Sequence, residues 1–334
     1  MPVSTPFHCL TLSLLVFPPL FLAAYFIAQF PHSPEVIAIH ASLASLPKDC
    51  KSWDIYPEDF YPGGAYVSLP FGRVRYWLLG PEDGKKVVLI HGLSVPAMIW
   101  KDVAPTLASR GFRVLLYDLY GRGYSDAPQT SYDPSLYATQ LALLMQHINW
   151  DKAFVAGVSM VSILLSRPDR FVPDLRASNL KGGGIAAAFS QQFPQLVEDK
   201  VVLIASAGLM EPSDMSRTTK FMSSPLVQSV TSSSPFRVVR IQSAHLPGYN
   251  AAIASSLRDG PIRGLSSSFK LLGKSNRDVL LIWGTADNTV PYKYASQMQS
   301  LVPQSTLITI QGGRHDLTIS HPETISDAIV RFFV

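Results

Sequence analysis

The chain of 334 residues has only two cysteines, 16% charged residues and a formal net charge of no more than +4. Cys9 and Cys50 support neither a disulfide framework nor a zinc site. No run of like charges and no basic stripe with interleaved aromatics occurs, which argues against a nucleic-acid partner. No segment repeats at the ~20–50-residue period of a solenoid or propeller. The 26 prolines and 21 glycines are dispersed, so low complexity is excluded too. Asn-x-Ser/Thr sequons are absent, a weak sign against a glycosylated luminal domain. What is plentiful is apolar surface: 47% of residues are hydrophobic, in a chain long enough for one large domain or two small ones.

The longest apolar run is Cys9–Phe30, 22 residues without a formal charge. As a helix it is about 33 Å long, enough to cross a ~30 Å hydrocarbon core. Pro18-Pro19 would kink it, which membrane helices tolerate. Residues 1–30 are therefore expected to be a single-pass transmembrane anchor. A cleaved signal peptide, giving a secreted protein, is the competing expectation. Against it, no Lys or Arg precedes the run and no small-x-small site follows. Residues 31–64, with five prolines and the Gly63-Gly64 pair, read as a linker.

From Ala65 onward strands and helices alternate. Ala65–Leu69 and Arg73–Leu79 flank Pro70-Phe71-Gly72 like a hairpin. Lys86–Ile90, Arg113–Asp118, Ala153–Gly157, Lys200–Ser206, Asp278–Gly284 and Ser305–Ile310 are short apolar runs, as expected of strands buried on both faces. Helical patterns cover Trp100–Arg110, Ser135–Asn149, Tyr292–Leu301 and His321–Phe333. The alternation implies an α/β fold with a mostly parallel central sheet and helices on both faces. Residues 65–210 and 278–334 form its core; the Ser-rich stretch 211–277 is expected to be a helical cap over the carboxyl ends of the strands, where open sheets bind ligands.

Ser159 directly follows the strand Ala153–Gly157, where a tight strand-to-helix turn can expose a hydroxyl at the sheet edge. Such a turn needs small residues on either side. Gly157 stands two positions before, but Val161 stands two positions after, so G-x-S-x-G fails at its last position. Without Val161–Lys181 the chain would read AGVSMGGGIAAAFSQQFP, and the motif would be complete and run into a helix.

Four further segments accompany this one, in order: VVLIHGLSVPAMIW, LLYDLYGRGYSDAP, LLIWGTADNTVPY and GGRHDL. Together they resemble the α/β-hydrolase superfamily over about residues 65–334, as its oxyanion loop, its D-x-x-G-x-G-x-S-D stretch, and the segments carrying the triad acid and histidine. The apolar N-terminus joined to a capped domain is similar, less specifically, to membrane-anchored monoacylglycerol lipases. The resemblance implies a serine hydrolase of carboxylic esters; C–C bond or thioester hydrolysis on the same scaffold is the alternative.

The roles follow from chemistry as well. A serine hydroxyl needs a base, and His315, in the loop after Gly312-Gly313, is the candidate. The base needs a group to fix its tautomer, and Asp287 follows a strand end. A developing oxyanion needs preorganised N–H donors, for which the amides of Leu93 and Met160 are expected. His91 reads as a hydrogen-bonding residue of the oxyanion loop, Asp118 and Ser125 as turn residues, Asp316 as an alternative acid, and His245 as a cap residue facing solvent. No metal or cofactor is implied. The partners expected are a small-molecule or lipid ester and, through residues 9–30, a membrane.

The interruption, residues 161–181, has four cations against two anions and two prolines, with no helical period linking it to its neighbours. Its 21 residues correspond to 63 nucleotides, in frame. Val161 can open with a GT donor and Lys181 can close with an AG acceptor, so the segment is compatible with a retained intron. The alternative is a true insertion, which would displace the helix that supports the oxyanion and leave a non-catalytic, membrane-tethered protein.

Overall fold

The computed structural model describes residues 6–29, 36–159, 184–211, 213–214, 234–260, 262 and 264–334. The interruption lies outside the described residues. The chain divides into two units, Met1–Ala38 and Ile39–Val334.

In the first unit, α1 (Pro6–Gln29) is a helix of 24 residues with Pro18 and Pro19 inside it. Its side chains are described for residues 15–26, all exposed. Among the described residues no helix is long and apolar enough to cross a membrane.

The second unit is built on a sheet of eight strands in the order β10-β9-β8-β7-β4-β5-β3-β2. These are β2 (Gly64–Leu69), β3 (Gly72–Leu79), β4 (Lys85–Ile90), β5 (Phe112–Tyr117), β7 (Ala153–Val158), β8 (Val197–Ile204), β9 (Asp278–Gly284) and β10 (Ser305–Ile310). Every pairing from β5 through β10 is parallel; β3 runs against both of its neighbours. The central strands read as unbroken apolar runs because helices cover both faces: Val87, Val88, Val155, Val201, Val202, Leu281 and Ile282 are wholly buried. Around the sheet lie α3 (Val103–Ser109), α4 (Pro134–His147), α5 (Ile185–Gln192), α9 (Lys293–Leu301), α10 (Leu317–Ser320) and α11 (Pro322–Phe333). The start of α4 is set by Asp133, whose carboxylate accepts from the Leu136 amide at 2.8 Å, with Pro134 in the first turn. Helix α11 buries Ile325, Ile329 and Phe333, and Phe333 stacks on Phe154 of β7 at 4.6 Å.

Two boundaries differ from the sequence reading. Residues 39–63, expected within a linker, form a strap packed into the domain. β1 (Ile39–His40) pairs with β6 (Ala127–Pro128), and Leu43, Tyr56 and Tyr61 are buried. The strap also contains α2 (Ser52–Ile55). Its prolines set bends rather than freedom, because the aromatics between them pack on one another: Tyr56 lies 5.2 Å from Phe60 and 5.3 Å from Tyr124. The second difference lies within residues 211–277. There α6 (Ser234–His245) and α7 (Pro247–Arg258) contact the loop after β5, as a cap would. Helix α8 (Ser266–Gly273) instead packs against α5 and α9, among the helices that cover the sheet. Its apolar face, Phe269 and Leu272, is too short a signal to separate the two layers in sequence.

Candidate active site

Ser159 sits at the carboxyl end of β7 with φ of 48°, in the left-handed region that a residue with a Cβ rarely adopts. Its amide donates to the Ile204 carbonyl at 2.9 Å, which ties the turn to β8. Gly157 permits a close approach here: a Cβ at that position would lie 3.0 Å from the Cβ of Ala186. Ala186 belongs to the first turn of α5, so the helix begins against the strand that carries the serine. Ser159, Gly157, Gly184, Ile185 and Ala186 line one shared recess. The chain thus leaves the turn at Ser159 and re-enters beside it at Gly184.

Two other loops converge on the serine. Gly284 ends β9, and Gly313 follows β10; a Cβ on Gly284 would lie 2.1 Å from the Gly313 carbonyl oxygen, so the two backbones touch. That contact brings Asp287 and His315 together. Asp287 Oδ1 accepts from the Thr289 and Val290 amides, each at 2.8 Å, which fixes the carboxylate. Its Oδ2 takes the Nδ1–H of His315 at 2.8 Å. Nε2 is left as the acceptor for the Ser159 hydroxyl, at 2.5 Å. The Asp287 side chain is fully buried and that of His315 is 22% exposed, so the imidazole meets the solvent side while its orienting group does not.

The turn after β4 supplies the third wall. A Cβ on Gly92 would lie 3.6 Å from Ser159 Cβ. Leu93 is buried, and among the described residues its amide meets no acceptor. Met160, the other expected donor, lies outside the described residues. His91 has both ring nitrogens engaged: Nε2 accepts from the Leu119 amide at 2.9 Å, and Nδ1–H donates to the Gly92 carbonyl at 2.6 Å. Burial pushes its pKa down to about 3, so it stays neutral, with both ring nitrogens committed to the backbone.

A protein-family comparison matches residues 87–328 to the alpha/beta hydrolase family. The chain belongs to that family. Among its relatives is the pimeloyl-[acyl-carrier protein] methyl ester esterase of Aliivibrio salmonicida, 26% identical over 77% of this chain and 95% of that protein. A non-heme chloroperoxidase of Streptomyces lividans is 25% identical over 76% and 93%. Similar solved structures include a carboxylesterase from Bacillus subtilis, with a TM-score of 0.64, 17% identity and coverage of 85% of this chain and 98% of that one. A membrane phospholipase A shares the fold with a TM-score of 0.63, 21% identity and coverage of 81% and 85%. The protein is therefore an enzyme of the hydrolase class.

Within this hydrolase the remaining sequence candidates fall away from the serine. Asp316 opens α10, and His315 takes Asp287 as its partner instead. His245 is exposed at the end of α6. Asp118 is buried and accepts from the Ala97 and Tyr124 amides and from the Tyr56 hydroxyl; burial raises its pKa to about 6. Ser125 donates to the Asp118 carbonyl and accepts from the Arg75 amide, so both hold the turn. Sequence reasoning passed over Arg122 in the same stretch. Its signal was a cation in a segment otherwise made of turn and aromatic residues.

Proposed function

We propose that this hydrolase cleaves carboxylic esters through an acyl-enzyme on Ser159. Ser159 Oγ bonds to the acyl carbon as its proton passes to His315 Nε2, and Asp287 stabilises the imidazolium. The tetrahedral oxyanion takes hydrogen bonds from the amides of Leu93 and Met160. The bond to the alcohol breaks as His315 returns the proton to it. Water then attacks the acyl carbon, His315 takes its proton, and release of the acid restores the Ser159 hydroxyl. The observation that carries the reading is the relay of two hydrogen bonds, Ser159 to His315 at 2.5 Å and His315 to Asp287 at 2.8 Å. A fluorophosphonate probe should label the protein lacking residues 161–181, and Ser159→Ala should abolish the labelling. Labelling that persists in the variant would sink the assignment.

A lipid or acylglycerol-like ester is the proposed substrate class. The support is the uncharged run 9–30 and the exposed Leu15, Phe21 and Tyr25 of α1, which would tether the domain at a bilayer. C–C bond and thioester hydrolysis use the same relay, since specificity resides in the pocket and cap. A panel of acylglycerols, p-nitrophenyl acetate and acyl-CoA separates them: preference for the acylglycerols supports the lipid ester. The tether is tested by carbonate washing, which should leave the full chain on membranes. A secreted form beginning after about Ala24 would instead establish a signal peptide.

A second reading rests on the interruption. If residues 161–181 stand in the mature protein, the supporting amide of Met160 and the start of α5 are separated in sequence, and a non-catalytic tethered protein follows. Transcript sequencing across codons 160–182 decides this: a mature message that keeps the segment favours the second reading.

A further inference from the structure

Arg122 is a fully buried guanidinium, and among the described residues no carboxylate pairs with it. Burying a cation without a counter-ion is costly unless its donors are well used. Four of the five N–H donors are used, on four separate pieces of chain. Nε–H donates to the Leu93 carbonyl at 2.7 Å. Nη1 donates to the Tyr120 carbonyl at 2.8 Å and to the Tyr137 hydroxyl of α4 at 2.6 Å. Nη2 donates to Ser256 Oγ of α7 at 2.8 Å. The rings of Tyr132 and Tyr137 lie 5.5 and 5.6 Å away and supply the π faces that a desolvated cation favours.

Two of those ends matter together. Leu93 follows Gly92, which approaches the serine, in the loop that carries the expected oxyanion donor, and Ser256 belongs to a cap helix. The same helix reaches the same loop a second time: Tyr249, two turns before Ser256, donates its hydroxyl to the Ser94 carbonyl at 3.0 Å. Between these anchors Ala252 meets Gly121, where a Cβ would lie 2.6 Å from the alanine methyl, so α7 is seated directly on the Arg122 loop. The carbonyls of two successive oxyanion-loop residues are therefore held through α7, one directly and one through Arg122.

We propose that Arg122 is a positioning residue that couples the seating of cap helix α7 to the oxyanion loop, so that the cap sets the aim of the Leu93 amide. This rests on the ester-hydrolase reading for its effect on rate, though not for the coupling itself. A cap seated by substrate would aim the donor, and a cap displaced would loosen it. A fork-shaped side chain is needed because one group must hold a loop carbonyl, a tyrosine and a helix serine at once.

The test compares neighbours on one helix in the full chain. Ser256→Ala removes the α7 end of the Arg122 network. Ser255→Ala loosens the same helix and leaves every hydrogen-bond partner of Arg122 in place, because Ser255 Oγ accepts from the Tyr132 amide, on the backbone of a residue that meets Arg122 only through its ring, and donates to Asp259. Hydrogen exchange is followed over residues 92–98, together with kcat and KM for an ester. Ser256→Ala should speed exchange there about tenfold and lower kcat about tenfold at constant KM, within the range that loss of aim produces. Arg122→Lys should do both more strongly, and Ser255→Ala should change neither by more than about twofold. Equal exchange in the two serine variants overturns the coupling. A change in KM at constant kcat overturns the aiming role. Absence of ester turnover in the chain lacking residues 161–181 as well counts against the ester-hydrolase reading, and the exchange comparison in the full chain then judges the coupling.

Discussion

Gly284 and Gly313 are in backbone contact: a Cβ on Gly284 would stand 2.1 Å from the Gly313 carbonyl oxygen, and that closeness lets Asp287 and His315 share a hydrogen bond. Gly284→Ala must push the two loops apart. The expected result is a loss of about 1–3 kcal/mol of stability from overpacking. The loss of ester turnover should exceed what that destabilisation explains, because the histidine loses its orienting group. Thermal unfolding and initial rates, measured on folded protein at low temperature, check this. A variant with normal turnover would show that the contact does not align the relay.

His91 predicts acid sensitivity of a definite sign. Burial holds its folded pKa near 3, against an ordinary value of 6.5 in the unfolded chain. Below about pH 6.5 the unfolded chain binds a proton that the folded one refuses, so stability falls as pH drops from about 6.5 towards 3, by a few kcal/mol in all. Asp118 acts oppositely. Its folded pKa of about 6 exceeds the ordinary 3.8, so the stability that goes with its protonation is lost as pH rises through about 6. His91→Gln keeps an acceptor for the Leu119 amide and leaves Asp118 in place, which isolates the histidine. The urea midpoint should fall less between pH 7.5 and 5 in the variant than in the parent; equal falls would contradict the account.

The strap sets where the domain can be cut. A chain starting at Ile39 retains the β1–β6 pairing, Leu43 and the Tyr56 hydroxyl on Asp118. One starting at Gly64 loses all three and leaves the buried Asp118 carboxylate short of a donor. The first should match the full chain in melting temperature. The second should lose at least about 3–5 kcal/mol, the usual cost of removing large buried side chains, or fail to fold. Equal melting temperatures would show that the strap is a linker after all.

Much of this was legible in the chain. Each central strand is a short apolar run, and Ser159, Asp287 and His315 each lie a few residues after such a run, so their place at one sheet edge was readable from order. The strap was not, because five prolines and a glycine pair mimic a linker, and the packing of Tyr56 and Tyr61 depends on Asp118 and Ala97, which are distant in sequence. Arg122 was hidden for the same reason: its partners Leu93, Tyr137 and Ser256 come from three separate segments. Helix α8 was absorbed into the cap because nothing local marks where a cap returns to the sheet.

The flanks of the interruption predict what its removal does. Gly157 and Ala186 are already in contact, and Ser159 and Gly184 line one recess. Deleting residues 161–181 places Gly182 two positions after Ser159 and shortens the link between flanks that already line one recess. The shortened chain should unfold at a temperature no lower than the full chain and turn over esters faster. A melting temperature well below that of the full chain would mean that the segment is part of the folded domain.

The central claim is that an acyl group passes through Ser159, and intact-mass spectrometry of the quenched reaction tests it most directly. The shortened chain, mixed with an ester whose acyl group deacylates slowly, should gain the mass of that acyl group. Peptide mapping should place it on Ser159, and Ser159→Ala should remain unmodified. Steady turnover with no mass gain on Ser159, or an acyl group found elsewhere, would contradict the account.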